Sequence, residues 1–275
     1  MKNNSPEHIE ESVEQALEGN RESMESVLRA IRKDIYSLSI RFLMSPADAE
    51  DVTQEILLKI MLRLAKFEGK SSFKTWVYRV TTNHLLDHKK ANSQHLMSLD
   101  DFSLDLSMGL NNTVESSLYD ARLLAEVRVG CTLALLNCLT PDKRVAYILG
   151  DILELEHTEA AYILNESSAA YRKRLSRARE LVVNSMTQNC GLINKQALCR
   201  CHKRVETAKS LGRVSENKLI FMTSSGDASR FPHILEKIRA LEGAQSTAAL
   251  FRAHNVQVTQ DTFNFWLKSV ISQHH

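Results

Sequence analysis

Only nine glycines and four prolines occur in 275 residues, while Leu, Ala, Glu, Lys and Arg are plentiful, which favours an all-helical chain. With 43% hydrophobic and 25% charged residues, the composition excludes a disordered chain. No apolar run approaches the ~18–20 residues of a membrane span. The opening MKNNSPEHIEESVEQ is polar and acidic, without an apolar signal core, so a cytoplasmic protein with no membrane partner is expected. An excess of one charge sign is also lacking: 35 basic against 33 acidic residues leave +2, so only local clustering can point to a partner. The five cysteines (131, 138, 190, 199 and 201) are then expected as thiols or metal ligands rather than disulfides.

What is present is helical periodicity. Ile9, Val13 and Leu17, then Val27, Ile31 and Ile35, recur at helical intervals, with a break at Gly19-Asn20. Ser45 is placed as an N-cap with Pro46 at the first helical position and acids in the first turn. Val52, Ile56, Ile60 and Leu64 line one side of that helix, and Asp51 and Glu55 lie one turn apart on another. After a loop at Glu68–Ser72, SSFKTWVYRVTTNHLLDHKK makes the next helix. Asn92–Val114 is Ser-, Asp- and Asn-rich, net acidic and weakly periodic, and reads as a linker. Helices resume from Glu115 to Met186. A basic segment with cysteines follows, then a polar stretch and a last helical unit.

Two helices carry chemistry. In SSAAYRKRLSRAREL, Tyr171, Leu175 and Ala178 form an inward stripe, ringed by Arg172, Lys173, Arg174, Arg177 and Arg179, with Ser168 and Ser176 as neutral donors. Preceded by HTEAAYILN and a turn at Asn165-Glu166-Ser167, this is the division of labour of a helix-turn-helix facing a major groove. The other helix mixes aromatics with cations, as a surface for unpaired DNA does, since bases stack and phosphates need neutralising. Trp76, Arg79 and Asn83 can share one strip, whereas Phe73 is balanced between that role and simple core filling.

The order of DAEDVTQEILLKI, SSFKTWVYRVTTNHLLDHKK, an acidic linker, LNCLTPDKRVAYIL and HTEAAYILNESSAAYRKRLSRAR resembles a bacterial extracytoplasmic-function (group IV) sigma factor over roughly Glu22–Met186. The resemblance implies an all-α protein with a region-two domain at 1–91, a flexible acidic linker at 92–114 and a region-four domain at 115–187. A small, mainly helical extension with cysteines would occupy 188–275. It implies that Asp51, Gln54 and Glu55 dock on core RNA polymerase. Ser71, Ser72, Phe73, Thr75, Trp76, Arg79, Asn83, Lys89 and Lys90 would melt and hold the minus-ten strand. The minus-thirty-five duplex would be read by Ser168, Ala169, Arg172, Lys173 and Ser176, with Arg174, Arg177 and Arg179 on phosphates or in packing. Leu139, Pro141 and Arg144 match the family's L-P-x-x-x-R element, while Tyr171 and Asn165 stand where Val and Gly are usual. The linker would thread through the polymerase near its active centre. No cofactor is required, no catalysis is expected, and a separate anti-sigma factor is an open partner.

Beyond the family pattern, Cys190, Cys199, Cys201 and His202 suit zinc by donor type, although not at a standard finger spacing; ordinary thiols are the equal alternative. His157 and His274–His275 are further metal candidates by residue type alone. The last helical unit, with Phe251, Phe263, Phe265 and Trp266, is expected to fold against the rest as a built-in regulatory domain. Two other classes compete. A dimeric helix-turn-helix regulator explains the basic helix but leaves the acidic patch and the Trp-bearing strip without use. A zinc enzyme acting on nucleic acid lacks the His-x-Glu and Pro-Cys-x-x-Cys signature.

Overall fold

The computed structural model describes residues 6–91, 97–113, 115–221, 225–254 and 261–273. Its α-helices are α1 (Pro6–Leu17), α2 (Arg21–Leu43), α3 (Pro46–Arg63), α4 (Phe73–Ala91), α5 (Leu99–Ser107), α6 (Ala121–Asn137), α7 (Pro141–Tyr147), α8 (His157–Ile163), α9 (Ser168–Asn189), α10 (Cys201–Ser210), α11 (Ser225–Arg239), α12 (Gly243–Arg252) and α13 (Asp261–Gln273). A π-helical turn, Ile148–Ile152, continues α7. Among the described residues there is no strand, only an isolated bridge between Cys190 and Cys199. No described helix is long and apolar enough to cross a membrane.

The second and third helices follow their local signals, whereas Leu17 of the expected α1 stripe is exposed. Asn20 caps α2 by accepting the Ser23 amide at 3.0 Å, just after Gly19 takes a positive φ of 92° that an L side chain resists. Ser45 caps α3 through the Asp48 amide, with Pro46 at its start. The stripe Val52, Ile56 and Ile60 of α3, continued by Leu64 just past its end, is buried, and α3 packs on α2, which is the hub of the molecule. It packs on α1, α3 and α4 on one side and on α6, α7 and α13 on others.

The linker differs from expectation. Ser98 and Asp101 form a reciprocal capping box that starts α5, and Phe102 and Leu106, one turn apart, are buried against α6 and α9. Residues 92–96 and 114 lie outside the described residues. The expected domains are also joined more closely than beads on a flexible tether. One core runs from Val27 and Ile56 through Leu136 and Tyr147 to Phe251 and Leu267. The fully buried Arg144 of α7 adds a polar tie by donating to the Phe42 carbonyl at the end of α2.

Candidate nucleic-acid interface

On α3, Asp51 and Glu55 are exposed and Gln54 is half-buried. Leu58 and the exposed Leu62 extend the same stripe at helical spacing, giving an acidic patch with an apolar end. The Glu55 carboxylate meets His84 Nε2 of α4 at 2.9 Å, and burial holds the His84 pKa below its usual value. The sequence offers no sign of His84, because the pairing is made between helices.

At the start of α4, the Ser72 hydroxyl accepts the Thr75 amide at 3.1 Å. Phe73 is buried and stacked on Trp76 at 5.9 Å, with Phe67 completing the cluster at 5.4 and 5.7 Å from the two rings. Phe73 is thus a packing residue that supports Trp76, which stays half-buried at the surface. Beside it opens a cavity of about 370 Å³ between the 66–71 loop and α4, walled by Phe67, Trp76, Arg79 and Asn83 and by the cations Lys66 and Lys70. Ser71 lines it too, while Ser72 is exposed outside it. Aromatic faces beside cations suit an extruded base and its phosphates. The side chains of Lys89 and Lys90 lie outside the described set.

Val80 and Glu68, the latter paired with Lys70, complete this side, and the facing wall is Tyr162, from α8. The Arg79 guanidinium lies over its ring at 4.7 Å, and buried Thr75 donates to Glu159 of α8 at 2.6 Å. Tyr162 escapes a sequence reading because nothing in its own helix announces contact with α4, 83 positions away at Arg79.

The helix-turn-helix is formed as its pattern requires. Asn165 has φ 53° at the turn, and Ser167 caps α9 by accepting the Ala170 amide at 3.2 Å. Tyr171, Leu175 and Ala178 are buried, and the Tyr171 hydroxyl donates to the Ala146 carbonyl at 3.0 Å. Gly150 makes room for Tyr171: a Cβ there would sit 2.6 Å from its hydroxyl. Arg179 forks onto Asp151 at 2.9 and 2.6 Å, and Arg174 pairs with Glu166 at 2.8 Å, so both serve packing. Ala169, Arg172, Lys173, Ser176 and Arg177 are exposed along one face, with Ser168 half-buried at its start.

The cysteine segment does not assemble as a metal site. Among the described residues no group of three or more His, Cys, Asp or Glu side chains is placed to hold an ion. Cys190, Cys199 and Cys201 instead line an apolar cavity that Cys131 of α6 also faces, and His202 is not among its lining residues. All five cysteines are free thiols. Burial pushes Cys199 up to about 11 and Cys201 to about 12, so both stay protonated at neutral pH. His157 packs beside the Tyr171 ring at 5.9 Å, and His274–His275 lie outside the described residues.

Two surfaces bearing cations thus lie on one chain, one beside Trp76 of α4 and one along α9. The family model for Sigma-70 region 2 matches residues 27–95, and that for Sigma-70 region 4 matches residues 130–182. The chain is 27% identical to the ECF RNA polymerase sigma factor SigE of Mycolicibacterium smegmatis, over 58% of this chain and 59% of that one. It is 27% identical to SigW of Bacillus subtilis, over 62% of this chain and 93% of the relative. The ECF sigma-E factor of Escherichia coli is 26% identical, over 63% and 92% respectively. A solved sigma factor RpoE from Bartonella quintana, in complex with the anti-sigma factor NepR, aligns with a TM-score of 0.41 and 20% identity, covering 58% of this chain and 94% of that one. Two stretches of the chain thus match Sigma-70 regions 2 and 4, and the curated relatives it resembles are extracytoplasmic-function RNA polymerase sigma factors. Residues 188–275 lie beyond both family models.

Proposed function

We propose that this chain binds core RNA polymerase and directs promoter-specific initiation, and that its C-terminal extension holds it in a closed, inactive form. No catalytic step falls to it in this role. Asp51, Gln54, Glu55 and Leu62 dock on the polymerase, the α9 face reads the minus-thirty-five duplex, and the cavity beside Trp76 receives a minus-ten base. One observation supports the closed form above the rest: Glu159 and Tyr162 of the helix-turn-helix lie directly on Thr75 and Arg79 of the minus-ten helix. Promoter elements about 25 base pairs apart, at about 3.4 Å per pair, are separated by roughly 80 Å. Two surfaces in contact cannot span that distance, so α8 must leave α4 before the promoter is engaged. A dimeric operator-binding regulator has no use for the acidic stripe or for the cavity.

Run-off transcription with purified core polymerase and a pool of randomised promoters tests the reading. Replacing Asp51 and Gln54 by Ala is expected to weaken core binding about ten-fold, taking the pair as worth about 1.4 kcal/mol, and to remove most transcript without changing the fold. Unchanged affinity in a pull-down would argue against the docking role. Arg177→Ala is expected to reduce affinity for promoter duplex evenly across sequences and to lower the salt slope by about one. A change confined to particular base pairs would instead make Arg177 a reader of base edges.

A further inference from the structure

The cavity that the thiols line has a volume of about 240 Å³ and lies where four parts of the chain meet. Phe102 and Leu106 come from α5, Gly130 and Ala134 from α6, Met186 from the end of the recognition helix α9, and the extension closes the rest with α10 and the segment ending at Phe221. Its walls are mostly apolar and polarisable. Three methionines (44, 97 and 186) and every cysteine except Cys138 present sulfur around it. Met97 and Arg213 are exposed members of its lining and mark its mouth.

The cavity is a built feature of the fold. Phe221 is pinned over Gly130 by the fully buried Glu126, whose carboxylate accepts the Ile220 amide at 2.6 Å and the Phe221 amide at 2.8 Å. The other charged and amide groups at the lining have partners as well. Asp105 holds Arg204 at 3.0 Å and Arg213 at 2.8 Å, and Asn189 donates to Ser103 at 3.0 Å. One polar atom is left over. Ser185, 6% exposed, is one of the lining residues, and its buried hydroxyl has no hydrogen-bond partner. A buried hydroxyl without a partner carries a desolvation cost that a ligand can relieve.

We propose that this cavity is a binding site for a small, neutral aromatic molecule carrying one hydrogen-bonding group, which Ser185 recognises. The size fits: an apolar cavity of about 150 Å³ takes a single benzene ring, so this one accommodates two fused rings. Thioether and thiol sulfurs make favourable contacts with ring edges, and Phe102 and Phe221 add aromatic walls. Because the thiols are protonated and the charged lining groups are already paired, an ion gains nothing there, and the single hydroxyl sets the orientation.

The cavity exists only while the extension is docked on α5, α6 and α9. A ligand bound there therefore favours the docked form by its differential affinity for it. This consequence rests on the closed-form reading above, and ligand binding is then expected to lower transcription. The site is an input to the same lock.

The test uses the full chain and two probes, 1-naphthol and naphthalene, followed by calorimetric titration and thermal shift. Both are expected to bind saturably. Ser185→Ala should weaken 1-naphthol about five-fold, the worth of one neutral hydrogen bond, and leave naphthalene unchanged. Ala134→Leu, which fills the space from α6, should abolish both, and retention of the native melting transition would show that the loss is not unfolding. No saturable binding of either probe, or affinities that neither substitution moves, would overturn the site. Binding that responds to the substitutions while run-off transcription stays constant would keep the site and overturn its coupling to extension docking.

Discussion

A chain ending at Gln188 is expected to give at least about ten-fold more run-off transcript than the full chain at equal concentration, because the extension straps the two DNA-binding regions together. The contacts reach both of them. On the region-two side, Arg32 of α2 lies over the Phe263 ring at 4.0 Å, Arg29 donates to Asn264 at 2.6 Å, and Arg41 donates to the His254 carbonyl at 3.1 Å. On the region-four side, Phe251 meets Tyr147 edge-on at 5.6 Å, Thr132 is hydrogen-bonded to His254 Nδ1 at 2.9 Å, and Arg252 pairs with Glu154. An aromatic pair contributes about 1 kcal/mol and a desolvated cation–π contact about 2 kcal/mol. Taking about 3 kcal/mol for the strap as a whole, its removal shifts the closed-to-open ratio about 100-fold, of which transcription registers part.

Truncation also uncovers apolar side chains of α6, among them Leu123 and Val127, which cluster with Val205 of α10, and the aggregation this invites would mask a gain. Phe263→Ala in the intact chain avoids this. It removes the buried ring under Arg32 and should raise transcript about ten-fold, by loss of about 2 kcal/mol of strap, of which transcription registers part. Equal transcript from full, truncated and Phe263→Ala chains, with equal binding to core, would remove the extension from regulation.

Much of this arrangement is legible in the residues, and the limits of that legibility follow from contact range. Helix starts at Asn20 and Ser45, the buried stripe from Val52 to Leu64, and the left-handed turn at Asn165 are local matters, decided within a turn or two of chain. The inward set Tyr171, Leu175 and Ala178 is likewise readable from spacing. α5 escapes such a reading because nine residues of weak periodicity hide a capping box, and its buried face is defined by α6 and α9 rather than by itself. For Arg174 and Arg179 the sequence leaves phosphate contact and packing both open, and only folding brings Glu166 and Asp151 beside them. The meeting of Thr75 with Glu159, and of Cys131 with the three later thiols, joins positions far apart in sequence. No single-chain pattern announces such encounters.

Arg144→Met is expected to lower the thermal midpoint by about 10 °C, a larger fall than Phe263→Ala should cause. The guanidinium is fully buried and donates to three carbonyls: Phe42, Asn137 at 2.8 Å and Leu139 at 3.0 Å. Burial lowers its pKa to about 10, which still leaves it charged at neutral pH, and its hydrogen bonds are of the charge-assisted kind. Methionine fills similar space but leaves three buried acceptors unsatisfied, at a total cost of about 4 kcal/mol. For a chain of this size each kcal/mol moves the midpoint by about 2–4 °C, which gives the expected shift. Arg144→Lys should recover little, since one ammonium cannot reach three carbonyls set around a planar fork. A shift below about 2 °C would mean that water or rearranged backbone satisfies those carbonyls.

The same residue separates local stability from the closed state. Asn137 and Leu139 precede Arg144 within region four, whereas Phe42 belongs to α2 of region two. If the chain ending at Gln188 opens, the Phe42 contact is lost there before any substitution is made, and Arg144→Met should cost about 1–2 kcal/mol less than in the full chain. A double-mutant cycle combining the truncation with Arg144→Met measures that difference from two pairs of denaturation curves. Equal costs in the two backgrounds would place the Arg144–Phe42 bond in the open form as well, and the separation of the two regions would then have to pivot around it.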